Sequence, residues 1–243
     1  MKILSIGNSF SQDAHKWLHK LAACNGHDFY TVDLYVSGCS LQTHWEDYLG
    51  NVEECELEVN GGPMERYIGI AEALKLEQWD VVTVQQASPL SGKPESYEPY
   101  LSNLLQVVKE ACPNTEIWFH QTWAYEKDAT YSGFVHYDND QAKMYNAIMD
   151  ATAKAAESHH LPVIPVGRII QGMRESFPEF DYPNGGMSLN RDGFHLTYDY
   201  GRFAAAAVWI KKLTGKDVTV TEFEDFDTAL LQKICDYVNR EVC

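Results

Sequence analysis

The chain has 243 residues, 45% of them hydrophobic and 22% charged, the mix of an ordinary globular protein and a length suited to one domain over 1–243. Nineteen basic residues against 35 acidic ones leave a net charge of −16. That field repels phosphate backbones and anionic membrane surfaces, so neither nucleic acid nor membrane is expected as a partner, while a neutral small-molecule or carbohydrate ester is compatible with it.

Residues 2–6, KILSI, read as a first strand. No signal-peptide apolar region or cleavage site follows, so a cytoplasmic protein is expected, with a trimmed exported form as the alternative. Residues 11–24 read as a helix, with Ala14, Trp17, Leu18, Leu21 and Ala22 at helical spacing and Asn25-Gly26 as its stop. Residues 29–36 alternate like a second strand, 37–63 form a long glycine-bearing loop, and 64–76 look helical. Residues 80–85 are a third, buried-type strand, 97–111 a helix ended by Pro113, 115–120 a fourth strand, 140–158 a long helix and 162–166 a fifth strand. Helices over 198–213 and 226–241 close the chain. The alternation predicts an α/β, three-layer αβα sandwich around a parallel five-stranded sheet. The loops over 37–63, 86–96, 121–139 and 177–197 are rich in Gly, Pro, Tyr and Asn. Three of the four follow predicted strands, where open parallel sheets bind ligands.

Two short blocks carry the chemistry. Gly7-Asn8-Ser9-Phe10-Ser11 lies between the first strand and the first helix, so Ser9 sits on a tight strand-to-helix turn. Helix capping by Ser9 or Ser11 is the competing explanation. Asp192-Gly193-Phe194-His195 lies near the other end. A serine hydroxyl needs a base to take its proton, and the base needs an acid to hold its tautomer. A D-x-x-H spacing supplies both from one loop.

Together these blocks resemble the SGNH (GDSL-like) hydrolase superfamily, whose nucleophile lies in an N-terminal G-[DN]-S block and whose base and acid lie in a C-terminal D-x-x-H block. IGNSFSQDA at 6–14 and SGCSLQTHW at 37–45 look like a bacterial domain-of-unknown-function branch of it. The similarity runs from residue 3 to about residue 210. The resemblance implies a flavodoxin-like SGNH fold and a triad of Ser9, His195 and Asp192. It also implies an oxyanion hole from the N–H groups of Ser9 and Gly38, and an acetyl ester of a carbohydrate as substrate. Where the family carries G-x-N after strand three, this chain reads Val84-Gln85-Gln86-Ala87-Ser88. Gln86 is therefore expected as the side-chain oxyanion donor, with Gln85 as the alternative.

Gln85, His120, Gln121 and Trp123 are expected to line the pocket, and Trp45, Tyr125 and Tyr131 to be available to stack on a sugar ring. His44 reads as a loop histidine, His159-His160 as a surface helix end and Cys39 as packing. No metal motif, P-loop or dinucleotide fingerprint is present, and no cofactor is expected. Two other classes compete with an esterase. One is a non-catalytic carbohydrate-binding protein that kept the fold, suggested by the missing asparagine. The other is a flavodoxin-like nucleotide binder, for which the loop after strand one is poor in glycine.

Overall fold

A computed structural model describes all 243 residues. Strand β1 (Lys2–Gly7) leads into α1 (Ser9–His15) and α2 (Leu18–Cys24), and β2 (Tyr30–Tyr35) into α3 (Leu41–Gly50). The strands β3 (Cys55–Val59) and β4 (Gly62–Ile68) precede the one-turn α4 (Ile70–Ala73). Then come β5 (Val81–Val84), α5 (Tyr100–Ala111), β6 (Glu116–His120), α6 (Gln141–His159), β7 (Val163–Ile164), α7 (Val166–Ser176), α8 (Tyr200–Thr214) and α9 (Thr228–Glu241).

The sheet has seven strands in the order β4-β3-β2-β1-β5-β6-β7. The five expected strands are all present and parallel, from β2 through β7. Two antiparallel strands are added at the β2 edge. They correct two expectations. The supposed loop over 37–63 contains α3 and β3, and the supposed helix over 64–76 starts instead as β4, up to Ile68, and is helical only over Ile70–Ala73. The reason lies in burial. Only Ile68 of β4 is buried, so the strand lacks the inward-outward alternation that marks a half-buried strand. The expected helix over 11–24 is broken at Lys16 and Trp17, and α7 was not anticipated.

The apolar core forms two layers. One, with Leu4, Ile6, Val82 and Val84, packs toward α3 and α5. The other, with Ile3, Val81 and the alanine-rich α8, packs toward α1, α7 and α9. On this second face the next residues along the strands are polar. Ser5 bonds both His15 Nε2 and Thr83 Oγ1 at 2.7 Å, and Asp33 is fully buried with neither oxygen hydrogen-bonded. Burial raises the Asp33 carboxyl well above its ordinary value, against the smaller opposing pull of the nearby Ser11 hydroxyl and with Glu58 adding to the rise. No helix is long and apolar enough to cross a membrane.

Candidate active site

The N-terminal block is fixed by its own short-range chemistry. A Cβ on Gly7 would lie 2.0 Å from Ser11 Oγ, so no larger residue fits without displacing that hydroxyl. Asn8, rather than Ser9, caps α1: its Oδ1 accepts from the Phe10 N–H at 3.0 Å. Ser11 Oγ accepts from the Asn8 N–H at 3.0 Å and donates to the Asn8 carbonyl at 2.8 Å. Ser9 makes neither capping bond. It is the first residue of α1, half-buried, at the carboxyl end of β1.

Neighbouring loops grip the same turn. Asn8 Nδ2 donates to the Cys39 carbonyl at 3.0 Å, and Gln85 Nε2 to Asn8 Oδ1 at 2.7 Å. His44 Nε2 meets the Gly7 carbonyl at 2.9 Å, which places the proton on that nitrogen. His44 is thus a buried residue of α3 rather than a loop histidine. Burial holds its pKa down to about 4, against the smaller opposing pull of the Gly7 carbonyl.

The C-terminal block is a narrow hairpin closed by the bridge between Asn190 and Leu196. Its tip needs a positive φ of 89° at Gly193. Asp192 Oδ2 accepts from His195 Nδ1 at 2.7 Å, and Oδ1 accepts from the backbone N–H groups of His195 at 2.8 Å and Phe194 at 3.2 Å. The D-x-x-H spacing therefore does join acid and imidazole. Burial raises the Asp192 carboxyl, but these three bonds and the imidazole's charge outweigh it and leave the group below its ordinary value. With Nδ1 bonded to the carboxylate, the ring presents Nε2 as its remaining nitrogen.

Aromatic packing sets the ring's surroundings. Phe194 lies 4.1 Å from His195 between ring centroids, and Tyr131 stacks on Phe194 at 4.6 Å. Phe10, the neighbour of Ser9, is 6.1 Å from the His195 ring. His195 is thus carried against the start of the helix that begins with Ser9. No hydrogen bond joins the Ser9 hydroxyl to the imidazole. Such bonds often tighten only with substrate in place.

Several expected pocket residues stand behind the site instead. The Gln86 amide corrects the oxyanion assignment. Its Nε2 donates to the Ser96 carbonyl at 3.0 Å and to Ser96 Oγ at 3.1 Å, while its Oε1 accepts from Leu41 and Ala87. A glutamine arm is long enough to turn back into its own loop. Gln85 is likewise held between Asn8 and His120, whose Nδ1 lies 2.6 Å from Gln85 Oε1. His120 and Trp123 have no exposed surface to offer a ligand. Trp123 stacks on Phe10 at 4.2 Å and donates to the Phe194 carbonyl at 2.7 Å. Gln121 is buried too and accepts from the Arg168 N–H at 3.0 Å. Tyr125 is fully buried against Tyr131 and Phe134. Tyr131 alone of the proposed stacking rings packs on Phe194, the neighbour of His195, with its surface substantially open, at 38% exposure. Trp45 is half-buried and stacked on Tyr48.

Gly38 is exposed, with a φ of 65° and open space where a Cβ would stand. Its backbone conformation, not crowding, calls for glycine. Cys39 is buried and its thiol pushed up by that burial, which makes it a poor nucleophile. His159 pairs with Glu98 at the surface. No group of three or more His, Cys, Asp or Glu side chains is arranged to hold a metal ion.

Residues 2–230 match the family model described as a domain of unknown function, DUF4886. A DUF4886 protein from Bacteroides uniformis is 36% identical, with 99% of this chain and 93% of that one aligned at a TM-score of 0.91. A candidate SGNH hydrolase from Slackia heliotrinireducens aligns over 88% of this chain and 98% of its own, at 21% identity and a TM-score of 0.58. An acetylxylan esterase from Geobacillus stearothermophilus aligns over 90% and 97%, at 12% identity and a TM-score of 0.55. Among curated proteins no sequence matches the chain. The two distant likenesses show the fold, an α/β sheet of the SGNH hydrolase type, and the chain itself belongs to the DUF4886 family.

Proposed function

We propose that the protein is a serine esterase that removes a small acyl group, acetyl, from a carbohydrate through an acyl-enzyme. His195 Nε2 takes the Ser9 proton as Ser9 Oγ attacks the acyl carbonyl. Asp192 holds the imidazole tautomer and stabilises the cation that forms. The N–H groups of Ser9 and Gly38 receive the negative charge on the tetrahedral oxygen, each worth about 3 kcal/mol in a site of this kind. His195 then gives its proton to the leaving alcohol, and water repeats the sequence on the acyl-enzyme. The observation that carries this reading is the 2.7 Å bond between Asp192 and His195, on a hairpin packed against the helix that starts at Ser9.

The carbohydrate half of the reading draws on two supports. Tyr131 presents an open ring on Phe194, the neighbour of His195, and aromatic faces suit sugar rings. One structural relative is described as an acetylxylan esterase. A panel of acetylated oligosaccharides and short p-nitrophenyl esters tests both halves. Turnover of acetyl esters by the wild type, absent in His195→Gln, is expected. Equal rates for both proteins would contradict it.

One observation favours a second reading, a carbohydrate-binding protein without activity. The Gln86 amide is fully engaged with Ser96, Leu41 and Ala87, so the side-chain oxyanion donor of the SGNH pattern is missing. Calorimetric binding of an acetylated oligosaccharide that is never hydrolysed would select this reading.

A further inference from the structure

We infer that Asp13 is a positioning residue, which sets the distance and angle between Ser9 and His195 by gripping the peptide unit that follows His195. This rests on the esterase reading for its catalytic consequence, though not for its geometry.

Asp13 lies four residues after Ser9 on α1, so the two share one face of the helix. It has no exposed surface. Its Oδ2 accepts from the Leu196 N–H at 2.7 Å. Its Oδ1 accepts from Arg191 Nη1 at 2.9 Å and from Arg202 Nε at 2.8 Å, with Arg202 Nη2 at 2.7 Å. Arg191 Nη1 in turn bonds the Leu196 carbonyl. Both polar groups of Leu196 are therefore held by one cluster, the N–H by Asp13 and the C=O by Arg191. Arg191 precedes Asp192 and Leu196 follows His195, so the cluster holds the Asp192–His195 segment at both ends. Tyr198 covers it: the guanidinium groups of Arg191 and Arg202 lie 4.9 Å and 4.6 Å from its ring.

A buried carboxylate between two guanidiniums is a poor device for stability alone, because desolvation cancels much of the attraction. Its directional bonds do fix geometry. Here they tie the helix that begins with the nucleophile to the hairpin that carries the base. The other hydrogen bonds that anchor the hairpin come from elsewhere: Trp123 and the Glu126 N–H reach the Phe194 and Gly193 carbonyls at 2.7 Å each, and Arg174 holds Asn190, so that α1 is linked to it otherwise only by packing, through Phe10 against Trp123 and His195. Asp13 touches no reacting atom, and its effect reaches the chemistry only through His195.

The test compares Asp13→Asn and Arg191→Met with Asp33→Asn, a buried-acid control with no bond to the hairpin. Acetyl-ester kinetics are read beside the NMR resonance of the His195 Nδ1 proton. Asp13→Asn is expected to lower kcat by about 100-fold with KM unchanged, the scale of a misplacement near 1 Å. It is also expected to shift the Nδ1 proton signal, with Arg191→Met doing both to a smaller extent and Asp33→Asn neither. A folded Asp13→Asn protein with wild-type kcat and an unmoved signal would overturn the inference. If Asp13→Asn does not fold, Arg191→Met decides on the same two readings. If the wild type turns over no ester, the esterase reading has failed, and the proton signal alone decides: a shift supports the positioning role and an unmoved signal overturns it.

Discussion

The two segments that meet at the site are held in opposite ways. Residues 7–11 are fixed in good part by their own backbone and caps, with Cys39, His44 and Gln85 adding bonds from outside. Residues 190–196 form a half-exposed hairpin whose orientation comes from distant partners: Asp13, Trp123 and Glu126. Ser9 is thus placed largely by local chemistry and His195 by tertiary packing. Damage to the first should act at once on folding and on Ser9. Damage to the second should act mainly on geometry.

The largest effects should come from the reacting groups. Ser9→Ala is expected to cut kcat by about 10⁶-fold, with little change in the melting temperature, since Ser9 makes no capping bond. Asp192→Asn is expected to cost about 10⁴-fold through the wrong imidazole tautomer. Steady-state kinetics with calorimetric melting separates both from unfolding. Gly7→Ala strikes the locally fixed segment and should cost on the order of 1–3 kcal/mol, as overpacking does. That is roughly 2–10 °C in Tm for a chain of this size. An unchanged Tm would show that the turn yields more easily than its geometry suggests.

Smaller effects sharpen the contrast through pH. Burial holds His15 and His120 down to about 3 and His44 to about 4, all behind the N-terminal segment. The unfolded chain protonates them near 6.5. Their stability contribution is therefore complete above that pH and declines as pH falls toward the folded values. Urea unfolding between pH 7 and 4 should show the decline, and a flat profile would contradict it. Asp33 acts with the opposite sign. Its raised folded pKa leaves stability complete below about 3.9 and erodes it as pH rises. Asp33→Asn should gain stability at pH 8 and nothing at pH 3 in the same urea series. The smallest expected change is in binding. Tyr131→Ala should raise KM for acetylated sugars by about tenfold, the scale of one aromatic contact, and leave p-nitrophenyl acetate unaffected.

The same division explains what could be read in the sequence. The five parallel strands, the turn at Gly7-Asn8-Ser9 and the pairing of Asp192 with His195 were legible because each is a local pattern: a buried apolar run, a tight G-N-S turn, a D-x-x-H spacing. The edge pair β3 and β4 was not, because β4 is exposed on both faces and shows no alternation. The side chains behind the site were misjudged for a related reason. Position after a strand places Gln86, His120 and Trp123 near Ser9, but says nothing of whether each faces the cleft or the core. Asp13 went unnoticed because its partners lie 178 to 189 residues away. Its one local signal was its spacing from Ser9.

Peptide mapping by mass spectrometry after exposure to a fluorophosphonate asks whether Ser9 is activated. The account predicts one phosphonylated residue per chain, Ser9, with the adduct lost in His195→Gln although that protein remains folded. An unmodified Ser9 in folded wild-type protein, or modification that persists without the imidazole, would contradict it.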